Sequence, residues 1–275
     1  MEKTVGIIGL GSMGGMLLER FIAGGVHPEK ITVANRSAEK TEKAKAAYPE
    51  LTVGGNEDAA KADIVFICVE PGQFKDVVVP LLPVFKPDAH LVSIASTVTI
   101  ANIETLFSGK ITKMVPTLTS RLGVGITLVC YNDKVEAEDK QDIEELFAAF
   151  GELREVPEED TPFITHLTSS GPGLFAEVLA QLVAASKRAA PQIPEKELQE
   201  MILETFRGTL LLSQEMNLSF DSIVSGVATR GGITEAGVST MREAGLDKVF
   251  DALFDSLIER RKRNQTRTNA EYEQK

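Results

Sequence analysis

The sequence is poor in the residues that most often do chemistry unaided. It has 2 cysteines and 3 histidines in 275 residues. Cys68 and Cys130 each sit in an apolar run and form no disulfide framework, so they read as buried, reduced thiols of a cytoplasmic protein. His27, His90 and His166 lie far apart, and none has a partner at metal-ligand spacing. No metal site and no Cys–His nucleophile pair is therefore expected. Positive charge is scarce too: 29 Lys and Arg stand against 40 Asp and Glu, a formal net charge of −11. Such a chain lacks the basic surface that phosphate backbones attract, so nucleic acid is not an expected partner. No apolar run reaches the roughly 18 residues of a membrane span. The start, Met1-Glu2-Lys3-Thr4, leads straight into an apolar strand, without the basic start and cleavage site of a signal peptide. With Cys and His so few, hard chemistry is expected from a bound organic cofactor.

What is present is an alternation. Residues 4–9 read as a buried strand, 13–23 as a helix, 31–34 as a second strand and 37–47 as a helix with an outer charged face. Apolar runs at 63–69, 90–95 and 111–115 follow, then strand patterns at 125–131 and 153–156. Strand–helix alternation implies a parallel sheet covered on both faces. After residue 161 the strand pattern fades, and residues 175–188, 196–215 and 246–263 carry apolar residues at helical spacing. The fold class read from this is α/β: an N-terminal Rossmann-type doubly wound sheet with a C-terminal all-helical domain. The expected domains are 1–158 and 159–263, parted at the acidic Pro157-Glu158-Glu159-Asp160 stretch. The polar, charged residues 264–275 are expected to be a flexible tail.

Gly9-Leu10-Gly11-Ser12-Met13-Gly14 fits G-x-G-x-x-G between a strand and a helix. Gly9 allows the tight turn, Gly11 lets a pyrophosphate approach the backbone, and Gly14 lets helix and strand pack closely. Ser12 and Met13 bring the first free N–H groups and the positive end of the helix dipole to the phosphates. The second strand ends in Asn35-Arg36-Ser37, where an NAD site usually has a carboxylate for the ribose 2′-OH. An Arg there, with Lys40 one turn on, suits a 2′-phosphate, so the expected cofactor is NADP, with NAD the alternative.

Two later segments are more unusual: Thr168-Ser169-Ser170-Gly171-Pro172-Gly173, and Thr229-Arg230-Gly231-Gly232-Ile233-Thr234. Together with the first loop they make the chain resemble the pyrroline-5-carboxylate reductase family, up to about residue 262. That resemblance implies NAD(P)H-dependent reduction of a cyclic imine, 1-pyrroline-5-carboxylate, to proline. It implies Asn56 near the adenosine ribose, Val69 and Pro71 in a turn at the cofactor, and Ala95 near the nicotinamide. It implies that the loop of Gly231 and Gly232 holds the substrate carboxylate, which the glycine N–H groups can meet, with Thr229 at a hydroxyl-bearing position and Thr234 as the catalytic hydroxyl. Arg230, which departs from the family, is expected to bind substrate by pairing with an extra acidic group. It also implies a homodimer through the helical domain, with higher rings in the family.

The chain departs from the family pattern in several places. The usual Val-Lys-Pro is Val69-Glu70-Pro71, and Met-Pro-Asn-Thr-Pro is Val115-Pro116-Thr117-Leu118-Thr119. Gly-Pro-Ala-Tyr is Gly171-Pro172-Gly173-Leu174, and Arg230 stands where the family has proline. The alternative to a reductase is therefore a catalytically altered paralogue that binds dinucleotide in a regulatory or accessory role.

Overall fold

The computed structural model describes residues 2–273. It begins with β1 (Val5–Ile8), α1 (Ser12–Ala23), β2 (Ile31–Ala34), α2 (Ala38–Ala47), β3 (Thr52–Val53), α3 (Asn56–Ala60), β4 (Ile64–Ile67) and α4 (Phe74–Val78). Next come β5 (His90–Ser93), α5 (Ile100–Glu104), β6 (Lys110–Val115), β7 (Ile126–Tyr131), α6 (Ala137–Phe147) and β8 (Glu152–Glu155). Five longer or flanking helices follow α7 (Thr161–Thr168): α8 (Gly171–Ala189), α9 (Glu195–Met216), α10 (Phe220–Val227), α11 (Ile233–Glu243) and α12 (Leu246–Glu273).

Among the described residues the strands form one sheet, ordered β3-β2-β1-β4-β5-β6-β7-β8. The chain winds outward from β1 through β2 and β3, then crosses back to lay β4 on the other side of β1. That reversal opens a crevice at the strands' carboxyl ends. The doubly wound sheet expected from the sequence is the one observed, with one exception. β7 runs antiparallel to β6. Only residues 116–125 join them, too few for the helical crossover a parallel return needs.

β1 and β4 are buried at every position, as strands covered on both faces must be. α1 seals one face with Met16, Leu17 and Phe21, spaced to share one side of a helix, and each is fully buried. The Phe21 ring lies 5.0 Å from Phe66, 5.5 Å from Phe147 and 5.4 Å from Phe150, centroid to centroid. This aromatic knot fixes where α1 begins, and so where the glycine loop points.

At the opposite end of the sheet His90 is buried, with Nε2 2.6 Å from Thr112 Oγ1. Burial holds its imidazole neutral and lowers its pKa from 6.5 to about 4. The unfolded chain takes up this proton below about pH 6.5 and the folded chain only near pH 4, so stability falls as pH drops through that window. The loss approaches roughly 3 kcal/mol at its acid end. His90→Gln is expected to flatten the pH dependence of thermal unfolding between pH 6.5 and 4; an unchanged slope would count against this account.

The chain divides into two compact units, Met1–Pro172 with Ile258–Lys275, and Gly173–Leu257. The division differs from the 158/159 boundary and the tail expected from the sequence. The acidic stretch at 157–160 is not a linker: the Glu158 carboxylate accepts from Lys113 Nζ at 2.8 Å and from the Ile100 N–H at 3.0 and 3.2 Å. Residues 264–273 continue α12, and Thr268 on it is buried. Residues 274 and 275 of the expected tail lie outside the described residues.

The second unit is helical. Of its large apolar side chains, Val183 and Leu198 are buried, whereas Phe175, Leu182, Met201, Phe206, Phe220 and Phe250 are exposed. Among the described residues no helix is long and apolar enough to cross a membrane.

Candidate functional site

The crevice at the carboxyl ends of β1, β2, β4 and β5 is a cavity of about 860 Å³. Of the residues expected to hold a cofactor, Gly9, Gly11, Ser12, Met13, Asn35, Arg36, Ser37, Asn56, Val69, Pro71 and Ala95 all line it. Gly14 does not; it lies behind the loop, where a Cβ would stand 1.9 Å from Gly9 O and 3.1 Å from Cys68 Cβ.

The loop is built by close approach. Gly9, at φ 103°, donates its N–H to Ala34 O at 2.8 Å. A Cβ on it would meet Cys68 O at 2.4 Å. Gly11 caps α1 in an extended conformation, and a Cβ there would meet nothing within 4 Å. The backbone is thus bare on the cavity side, where the first N–H groups of α1 lack partners within the helix. Cys68 also lines the cavity, but burial pushes its thiol well above the ordinary range, which keeps it unreactive.

At the end of β2 the side chains divide their tasks. Asn35 Oδ1 accepts the Leu10 N–H at 2.9 Å and its Nδ2 donates to Ser37 O at 3.1 Å. Its amide therefore clips the first loop to the second. Arg36 and Lys40 are exposed at the cavity margin, and neither is ion-paired among the described residues. The acidic groups Glu70 and Asp76 line the cavity as well. Gln73, Asp76, Val77 and Ser96 are lining residues that sequence reasoning missed. They follow strand ends without a motif, and only the position just past β4 or β5 marks them.

The other expected site residues lie in the second unit. α10 ends at Val227, and the chain turns through Thr229, Arg230, Gly231 and Gly232 into α11. Gly231 sits at φ 72°. Its N–H donates to the Glu235 carboxylate at 2.6 Å, and the Gly232 N–H donates to Thr229 O at 2.8 Å. Both glycine N–H groups that the sequence reading offers to a substrate carboxylate thus have internal acceptors, Glu235 reaching back from the first turn of α11 to one and the Thr229 carbonyl taking the other. The N–H groups of Ile233 and Thr234, which open that helix, are among those left over, with that of Glu235. Thr229, Arg230 and Thr234 are exposed. Arg230 forms no ion pair among the described residues. No group of three or more His, Cys, Asp or Glu able to hold a metal occurs among them either.

Comparison with known proteins agrees with this division of labour. Residues 4–97 match the family described as NADP oxidoreductase, coenzyme F420-dependent, and residues 158–264 match pyrroline-5-carboxylate reductase dimerisation. The class is therefore a nucleotide-binding oxidoreductase domain joined to an oligomerising helical one. Pyrroline-5-carboxylate reductase 3 of Bacillus subtilis is 28% identical over 93% of this chain and 94% of its own. The pyrroline-5-carboxylate reductase of Corynebacterium melassecola is 26% identical over 90% of this chain and 93% of its own. The NADP-bound pyrroline carboxylate reductase of Plasmodium falciparum has the same fold, with a TM-score of 0.86 at 20% identity, covering 96% of this chain and 98% of its own. Over nearly its whole length the chain is thus similar to pyrroline-5-carboxylate reductases, and its helical part matches their dimerisation domain.

Proposed function

We propose that this chain is a cytoplasmic, NADPH-dependent reductase of 1-pyrroline-5-carboxylate to proline. The observation that carries the reading is the crevice itself. It offers a bare backbone at Gly11 facing the open helix end, and cations in place of a carboxylate at the end of β2. These residues fit NADPH. Gly9, Gly11, Ser12 and Met13 would hold the pyrophosphate, with Gly14 packing behind. Arg36, Ser37 and Lys40 would hold the 2′-phosphate and Asn56 the adenosine ribose. Val69, Pro71 and Ala95 would border the nicotinamide, with Asn35 fixing the loop that carries Arg36.

When bound, NADPH supplies a hydride from its nicotinamide C4. The chain's task is to place the imine carbon, and positioning of this kind accounts for most of the acceleration where no strong acid or base is needed. Thr229, Arg230, Gly231 and Gly232 form the substrate loop. The free N–H groups of Ile233 and Thr234 receive the carboxylate in place of the glycine N–H groups, favoured by the α11 dipole. Thr234 Oγ1 donates to or accepts from the bound ring. The two glycines supply the turn that brings these donors together. The exposed apolar helices of the second unit support a homodimer formed through that unit.

Purified protein mixed with NADPH and pyrroline-5-carboxylate should consume the reduced cofactor, followed by its absorbance. Thr234→Val should lower kcat/KM by about tenfold, the scale of one lost hydrogen bond to a polar ligand. Tight NADPH binding without any turnover would overturn the reductase reading in favour of the non-catalytic paralogue.

A further inference from the structure

The match to the dimerisation family stops at residue 264, yet the helix runs on for nine residues, to Glu273. Arg261, Gln265, Thr268 and Tyr272 recur at spacings of three and four, so they share one face of α12. That face grips the first unit. Arg261 Nη2 donates to Ser96 O at 2.6 Å, and Gln265 Nε2 donates to Thr97 O at 2.7 Å. The Thr97 and Thr268 hydroxyls share a buried hydrogen bond of 2.9 Å. Tyr272 packs against the core cluster that contains Phe74 and Val98, and Lys75 Nζ donates to Glu271 O at 3.1 Å.

The gripped residues belong to the loop that follows β5 and to the start of α4, which follows the β4 loop. Ser96 lines the cavity beside Ile94 and Ala95, and Pro71 and Gln73 line it just ahead of Lys75. In a sheet of this order the adenosine half of a dinucleotide lies over the β2 side of the switch point, and the other half over β4 and β5. The helix therefore holds, from the outer side, the loops that meet the half carrying the nicotinamide. The Ser96 and Thr97 carbonyls are its handles, and turning either peptide would move Ala95 and Ser96 in the cavity.

We infer that the last three turns of α12 position the β4 and β5 loops for the nicotinamide end of the cofactor, with Gln265 and Thr268 as positioning residues. The inference rests on the NADPH reading given above. Its test compares two probes by fluorescence or calorimetric titration: NADPH, and adenosine 2′,5′-bisphosphate, which spans only the adenosine half. Gln265→Ala combined with Thr268→Val, and separately a chain ending at Asn264, should bind NADPH about tenfold more weakly. Both should bind the bisphosphate as the parent does. Thr268→Ser, which keeps the hydroxyl, should bind NADPH like the parent, and so should Arg263→Ala on an exposed face of the same helix. Equal weakening of both probes would overturn the inference, since a merely loosened fold predicts that. Unchanged NADPH binding in the variants would overturn it too. A parent chain that fails to bind NADPH at all would remove the functional reading itself, and this inference with it.

Discussion

Gly14→Ala is expected to lower NADPH affinity by more than about a hundredfold and to destabilise the fold by roughly 1–3 kcal/mol, the usual cost of overpacking. The added methyl would stand 1.9 Å from Gly9 O, far inside contact distance. Both atoms are anchored, Gly9 by its N–H bond to Ala34 O and α1 by Phe21 in the aromatic knot. Relief requires α1 to slide away from β1, which withdraws the helix end from the phosphates. Gly15→Ala is the control. It lies on the same helix, where a Cβ meets nothing within 4 Å, and should be neutral or stabilising by about 0.5–1 kcal/mol. Thermal melts with NADPH titrations would separate the two, and matching behaviour of the variants would refute the packing role of Gly14.

Arg36→Ala should weaken NADPH binding by roughly fiftyfold while changing NADH binding by no more than about twofold. The difference arises because only NADPH carries the 2′-phosphate, and a guanidinium offers it paired, charge-assisted hydrogen bonds. Among the described residues Arg36 has no carboxylate partner to surrender first, and Lys40 beside it retains part of the attraction. The preference for NADPH should also fall as salt rises, because this margin of the cavity is exposed and screened. Parallel loss of both cofactors would locate Arg36 in the loop's structure rather than in recognition.

The parts of this molecule most legible in the sequence are those where one local rule dominates. β2 begins and ends where the apolar run does, and α1 starts beside the glycines that permit its close packing. The crevice followed from the same pattern, since the glycine loop and the end of β2 are adjacent in any sheet of this order. The end of α12 was opaque for a physical reason. Its contact face uses Gln265 and Thr268 on backbone carbonyls, so it carries no apolar stripe for periodicity to detect. The acidic stretch at 157–160 stands where the dimerisation match begins, but its contacts were opaque in the same way. Glu158 looks like a solvated linker residue until Lys113, buried on β6, is seen to face it. The antiparallel β7 depended on the length of one connection rather than on composition. At the second-unit loop, Glu235 was visible four residues beyond Gly231, but its return to the Gly231 N–H becomes apparent only once α11 is in place.

The scarcity of buried apolar side chains in the second unit has a thermodynamic consequence. A helical unit that encloses little more than Val183 and Leu198 within its own chain gains little from hydrophobic burial to offset the entropy of ordering it. In the homodimer proposed above its persistence depends on mass action, and the folded fraction of these helices should rise with total protein concentration. The nucleotide-binding unit, with its own closed aromatic core, carries no such dependence. Dilution of that dimer should therefore act first on the helical unit, the one that carries the loop proposed to hold the substrate.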